Sequence, residues 1–332
     1  MLPVVKSTQN LMLWVLFALC PGIIAQCIYF GTGYLGNLLI SILATASFCL
    51  LFGFNYRASV QLLNFKHWIR DWSNWITCAL IALALPPETS PFVITIAVFV
   101  ALGLGKYAYG GLGRNPFNPA MVGYVFVLLS FPEELAQWST APDALTSATP
   151  LELHKFRNGL TTQELWADNP AFGWLAGHGW EWINCAYLLG GIVLLSRRII
   201  TWHIPAAMLG TMVFISLINY DMGSSSSLGS PTLHLFSGGT LLAAFFVATD
   251  PVTCPAHRTA RLIFGALIGL LTYVIRVWGA YPDGIAFAVL LANVCVPLLD
   301  HVFASQPTRP ATNSAVVKSN ERPRLKDEGD TV

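Results

Sequence analysis

The side chains best spaced for chemistry lie in one stretch, Asp143-Ala-Leu-Thr-Ser-Ala-Thr149-Pro-Leu-Glu152. An acid is followed by three hydroxyls, Thr146, Ser147 and Thr149. Pro150 then holds the residue before it extended, which presents the Thr149 side chain outward. By composition alone this is an ordinary hydroxyl-rich, exposed turn. Two acids, Glu88 and Asp250, stand where short apolar stretches end. Asp250 precedes Pro251, so it could cap the next turn or hold a charge, whereas Glu88 reads as solvated at a boundary. Asn115-Pro-Phe-Asn-Pro119 could leave free amides at a broken helix that attract an anion. It could equally start the next helix, with Asn118 as cap and Pro119 in the first turn.

Other patterns carry less. Gly31-Thr-Gly-Tyr-Leu-Gly36 spells a dinucleotide fingerprint, but it joins two apolar runs and no acid follows some 20 residues on. The histidines at 67, 154, 178, 203, 234, 257 and 301 share no metal-ligand spacing, so no metal is expected. Cys20, Cys27, Cys49, Cys78, Cys185, Cys254 and Cys295 form no C-x-x-C pair and read as small core residues rather than iron–sulfur ligands.

The elements that must position these residues are membrane helices. Of 332 residues 55% are hydrophobic, against eighteen basic and seventeen acidic side chains, a charge content far below that of a soluble domain. Nine of those charges fall in Ser305–Val332, which reads as a polar tail. A net charge of +1 without a clustered basic face argues against a nucleic-acid partner. A spanning helix needs about 20 apolar residues, because lipid offers no partner to a free amide or carbonyl. Ten candidate spans lie near 11–30, 35–54, 72–86, 91–107, 119–131, 181–196, 203–219, 236–250, 261–277 and 284–303. The third, fifth and eighth are short and stop at Pro86, Pro132 and Pro251, as tilted, broken or re-entrant helices do. The first has the charge-then-apolar look of a signal peptide but no small-residue cleavage site, and is expected to stay as a helix.

With the N-terminus cytoplasmic, fifteen of the eighteen Lys and Arg residues fall inside, and only Lys155, Arg157 and Arg276 fall outside. Both termini are then cytoplasmic. An internal repeat supports the same count, since Pro87, Thr89 and Pro91 meet Pro251, Thr253 and Pro255 at one offset. Five spans is an odd number, so the two halves would run in opposite senses, with sites at the broken helices between them. The expectation is an all-α polytopic membrane protein: a first repeat over 1–131, an outer loop over 132–179, a second repeat over 180–304 and a cytoplasmic tail over 305–332. Long loops tend to be functional, and this one carries the Asp143–Thr149 stretch.

That stretch resembles the D-x-x-[ST]-x-[AS]-T acceptor of covalent flavin transfer. Gly110-Gly-Leu-Gly-Arg-Asn-Pro-Phe-Asn-Pro-Ala-Met121, Ser147-Ala-Thr-Pro-Leu151 and Ser237-Gly-Gly-Thr-Leu-Leu-Ala-Ala-Phe-Phe-Val-Ala-Thr-Asp-Pro-Val-Thr253 are similar to the family that contains the D component of the Rnf electron-transport complex and the B component of the sodium-translocating NADH:quinone reductase. Length and the lack of a long N-terminal extension favour the Rnf component. The resemblance implies FMN held as a phosphoester on Thr149 by a separate flavin transferase, with Asp143, Thr146 and Ser147 shaping the acceptor. Ser147 stands where many acceptors have Gly, which stiffens the turn but leaves the attachment atom unchanged. It also makes Asn115, Asn118, Gly238, Gly239 and Asp250 candidates for cofactor contacts and leaves room for a second, non-covalent flavin, riboflavin or FMN. The implied activity is relay of electrons between ferredoxin and NAD within a complex of membrane and peripheral subunits in the bacterial inner membrane, coupled to Na+ or H+ movement, with the Thr149 loop periplasmic. No side chain is assigned a catalytic role of its own. A quinone-reductase component and a non-redox inverted-repeat transporter are the rival readings.

Overall fold

Four helices begin the same way, with a small polar residue followed by proline. Ser90, Asn118, Thr149 and Ser230 each accept a hydrogen bond from the amide three residues on, at Val93, Met121, Glu152 and Leu233, and Pro91, Pro119, Pro150 and Pro231 occupy the first helical position. Such a cap is worth about 1 kcal/mol, and proline costs nothing where no amide partner exists. In the computed structural model, which describes residues 8–55, 71–138 and 148–304, these signals set helix starts across the chain. Asp143, Thr146 and Ser147 lie outside the described residues, as does the polar tail.

The first five apolar segments are α1 (Thr8–Phe30), α2 (Gly33–Asn55), α3 (Trp72–Ala84), α4 (Pro91–Gly103) and α5 (Pro119–Ser130). Three short helices follow, α6 (Pro132–Leu135), α7 (Pro150–Lys155) and α8 (Thr162–Asp168). The second set is α9 (Trp180–Ser196), α10 (His203–Ile218), then α11 (Pro231–Phe236) and α12 (Thr240–Leu242) separated by a break, and finally α13 (Arg258–Trp278) and α14 (Ile285–Ala304). A π-helical turn, Ala243–Val247, continues α12. Among the described residues five helices are long and apolar enough to cross a membrane, and α3, α5, α9 and α10 are shorter apolar helices. The chain is thus a polytopic all-α membrane protein.

The repeat reappears in the packing. In the first half α2 lies on α3 and α4, and α4 on α5; in the second, α10 lies on α11 and α13, and α13 on α14. Glycines allow the close approaches: a Cβ on Gly123 would stand 2.3 Å from the Ala97 carbonyl, and one on Gly269 would stand 2.4 Å from that of Met208. Small residues at such contacts are how apolar helices associate where no hydrophobic drive separates them from lipid.

The segment between the halves is not a bare loop. Leu151, Leu165, Phe172 and Ala176 form a small core with Leu233 of α11. Arg157 donates to the carbonyls of Ser224, Ser225 and Ser227, and Lys155 to those of Gly279 and Tyr281, which staples α7 to the second half.

Candidate functional site

Thr149 is the N-cap of α7, and this corrects the expectation of an exposed turn. Its side chain is half-buried, and its Oγ1 accepts from the Glu152 amide at 3.3 Å. The hydroxyl proton is left without an acceptor among the described residues, so the oxygen has an O–H to give up.

The same residue stands at the lip of a cavity of about 300 Å³, together with Gly238, Gly239, Tyr124, Asp283 and Trp180. The floor is made by Gln26, whose Nε2 donates to the Leu83 carbonyl and whose Oε1 accepts from the Tyr187 hydroxyl, both at 3.0 Å. Trp138 and Trp180 form one wall, their rings 5.0 Å apart.

The break between α11 and α12 gives this cavity its shape. Gly238 has φ of +60°, and a Cβ there would fall 2.3 Å from Asp283 Oδ2, so only glycine suits the position. The backbone groups loosened by the break are satisfied by buried side chains. Asn184 Nδ2 donates to the carbonyls of Phe236 and Gly238, and its Oδ1 accepts from the Leu241 amide. Arg276, 3% exposed, donates to the His234 carbonyl at 2.7 Å and the Thr240 hydroxyl at 2.8 Å, and pairs with Asp283 at 3.1 Å. A broken helix at membrane depth requires this kind of compensation.

A second cavity, of about 160 Å³, opens at the opposite end of the bundle, among the starts of α1 and α3 and the end of α9. Asn115, Asn118, Lys106, Thr249 and Asp250 line it. Asp250 folds over its own turn, accepting from the Val252 amide at 3.3 Å and the Thr253 hydroxyl at 3.1 Å. Its capping role and its place on a cavity therefore coexist. Lys106, 2% exposed, donates to Asp71 and Asn74, both at 2.6 Å, and to the Ser73 hydroxyl.

Between the cavities lies the π-helical turn. Ala243 and Val247 face the Thr149 cavity, while Phe245 and Phe246 face the Asp250 cavity. Asn118 caps α5 and donates to the Val247 carbonyl at 3.3 Å; its own amide donates to Asn293 at 3.1 Å. The candidate residues thus separate into two groups: Thr149, Gly238 and Gly239 at one cavity, Asn115, Asn118 and Asp250 at the other. Glu88 is exposed.

Sequence reading missed Arg276, Lys106, Asp283, Asn184 and Asn293. Arg276 and Lys106 counted there only toward orientation, near the ends of two expected spans; both are buried, Arg276 within α13 and Lys106 beside α3. The available signal was a lone polar residue in an apolar run, as with Asn184 and Asn293.

The described residues form an all-α membrane bundle with a broken, π-distorted helix between two polar-edged cavities. Residues 3–309 match the NQR2, RnfD, RnfE family, and the chain belongs to it. It is 42% identical over 336 residues to the D component of the ion-translocating oxidoreductase complex of Vibrio atlanticus (strain LGP32), covering 89% of this chain and 93% of that one. The protein of the same name from Pseudomonas aeruginosa (strain UCBPP-PA14) is 44% identical over 327 residues, covering 92% of each. That from Vibrio cholerae serotype O1 (strain M66-2) is 41% identical over 335 residues, covering 89% of this chain and 93% of the relative. These names support a component of a membrane redox complex.

Proposed function

We propose that this chain is a membrane component of an Rnf-type ion-translocating ferredoxin:NAD oxidoreductase, carrying FMN as a phosphoester on Thr149. One observation supports the attachment most: the Thr149 hydroxyl lines a large, mostly apolar cavity and donates to no acceptor among the described residues. In the loading step a flavin transferase activates the hydroxyl, Oγ1 attacks the FMN-side phosphorus of FAD, the anhydride bond breaks, AMP leaves and the hydroxyl proton is lost. Flavin supplies one- and two-electron chemistry when bound. This chain's share is positional. The Thr149 bond prevents escape, the Trp138–Trp180 wall excludes water, and the Gly238–Gly239 break admits a ring close to the backbone.

By the distribution of basic residues, the Thr149 cavity faces the periplasm and the Asp250 cavity the cytoplasm of a bacterium, with the chain in its inner membrane. Asp250 then serves as the charge-holding group of the cytoplasmic cavity, on the path of the coupling ion, Na+ or H+. Asn115 and Asn118 offer amides there to a second, non-covalent flavin. The other proteins of the complex, the flavin transferase and the lipid bilayer are its partners.

The test is intact mass and in-gel flavin fluorescence of the purified full chain. Thr149→Asn keeps a good helix cap but removes the hydroxyl. Wild-type chain should carry a covalent flavin and this variant none, at equal membrane levels. A fluorescent Thr149→Asn chain would contradict the assignment, and a wild-type chain without flavin would favour a transporter without redox chemistry.

A further inference from the structure

Two polar groups that line the Thr149 cavity have hydrogen-bonding capacity to spare among the described residues. Tyr124, on α5, lines it, and its hydroxyl makes no hydrogen bond with any described residue. The second is Asp283, in the link between α13 and α14, whose side chain is 29% exposed on the cavity. Its Oδ1 is saturated by Arg276 and the Ile285 amide, at 3.1 to 3.3 Å. Oδ2 accepts only from the Gly239 amide at 3.2 Å, so one lone pair remains for a donor. Both side chains line the same cavity.

A phenolic O–H and a carboxylate lone pair lining one cavity supply a donor and an acceptor to a mostly apolar slot. Their complement is a planar ring whose edge alternates carbonyl and N–H, an imide. Gln26, which also lines the cavity, is committed to Leu83 and Tyr187, and Thr149 Oγ1 accepts from the Glu152 amide. Trp180 Nε1 is buried and without a partner, but it is closed off from the space. The polar pocket beyond α7 offers less. Its Arg157 guanidinium is already spent on His154 and on the carbonyls of Leu160, Ser224, Ser225 and Ser227.

We propose that Tyr124 and Asp283 are positioning residues that read the imide edge of the isoalloxazine ring, Tyr124 donating to a ring carbonyl and Asp283 Oδ2 accepting the ring N–H. This rests on the reading that Thr149 carries the flavin. The arrangement also tunes the ring. A donor on a carbonyl favours the electron-rich reduced form, whereas a carboxylate beside the N–H disfavours it. Arg276, locked to Oδ1, keeps the carboxylate aimed.

The test uses full-length chain matured with the flavin transferase, solubilised, and titrated for its flavin midpoint potential, with in-gel fluorescence as the loading control. Tyr124→Phe should keep covalent flavin and shift the midpoint down; Asp283→Asn should keep it and shift the midpoint up. Opposite shifts are the signature, because loose packing alone would move both variants alike. Unchanged midpoints, or shifts of the same sign, overturn the proposal. Should Asp283→Asn fail to accumulate because Arg276 loses its partner, Tyr124→Phe decides alone: a lowered midpoint supports the proposal and an unmoved one sinks it. Absence of flavin from wild-type chain would instead refute the attachment on which it rests.

Discussion

At the Thr149 cavity a buried arginine, Arg276, holds the break between α11 and α12 and leans on Asp283; at the Asp250 cavity a buried lysine, Lys106, holds the start of α3 and leans on Asp71. The two devices occupy corresponding places, each base standing at or just beyond the end of the fourth segment of its half and gripping the third. Their surroundings differ. Asp283 is 29% exposed and keeps two backbone amides besides its arginine, whereas Asp71 is 10% exposed. A half-solvated carboxylate with a spare lone pair is available to a ligand. A sealed one is committed to the fold. The repeat has therefore kept a structural device in one half and opened it toward a cavity in the other.

Removing the bases sharpens this difference. Lys106→Met leaves Asp71 charged and nearly sealed, and should cost about 3–5 kcal/mol, read as a large fall in the thermal midpoint of solubilised protein. Asp71→Asn in the same chain should recover much of the loss. Arg276→Met should cost less, about 1–3 kcal/mol, because Asp283 retains water and amides and the carbonyls of His234 and Ser237 lose Arg276 but keep the Thr240 hydroxyl. Equal losses would erase the distinction drawn between the cavities.

The next largest effect separates the two chemically. Asp250→Asn should lower ion-coupled electron transfer by the assembled complex about tenfold, the size of one lost charge-assisted contact. Covalent flavin on Thr149 should be untouched, since the two cavities lie on opposite sides of the π-helical turn. Wild-type turnover in reconstituted vesicles would reduce Asp250 to a helix cap.

Smaller still is the effect of acid on the segment that carries Thr149. Burial, helped by Arg157 and His234, pushes His154 down to about 3. In the unfolded chain the imidazole titrates near 6.5, so between those values the unfolded state binds more protons. The stabilising contribution is complete above about pH 6.5 and fades as pH falls toward 3. Limited proteolysis around α7 and α8 should therefore quicken at pH 5 relative to pH 7. His154→Gln, which keeps an acceptor for Arg157 but cannot titrate, should remove most of that difference. A variant as acid-sensitive as wild type would place the sensitivity elsewhere.

Much of the architecture was legible because apolar runs and Pro punctuation are local. Among the described residues five of the expected segments are helices long and apolar enough to cross a membrane and four more are shorter apolar helices, and the cap-then-proline starts at Ser90, Asn118 and Ser230 are readable in the chain. The eighth span began too late in that reading, at 236, because Pro231–Phe236 is short and set off by Gly238 and Gly239. Thr149 was found through a motif, yet its role as a helix cap was hidden by how short α7 is. Asp283 and Tyr124 carried no signal at all. Their significance comes from facing one cavity across 159 residues of chain, a juxtaposition that no window of sequence contains.

The most direct measurement is a fragment mass spectrum of the tryptic peptide 115–155 from wild-type chain, which holds Thr140, Thr146, Ser147 and Thr149 together. An FMN phosphoester located on Thr149 is the predicted result. The same mass on any other hydroxyl of that peptide, Ser130 and Ser139 included, or an unmodified peptide from active complex, would contradict the account.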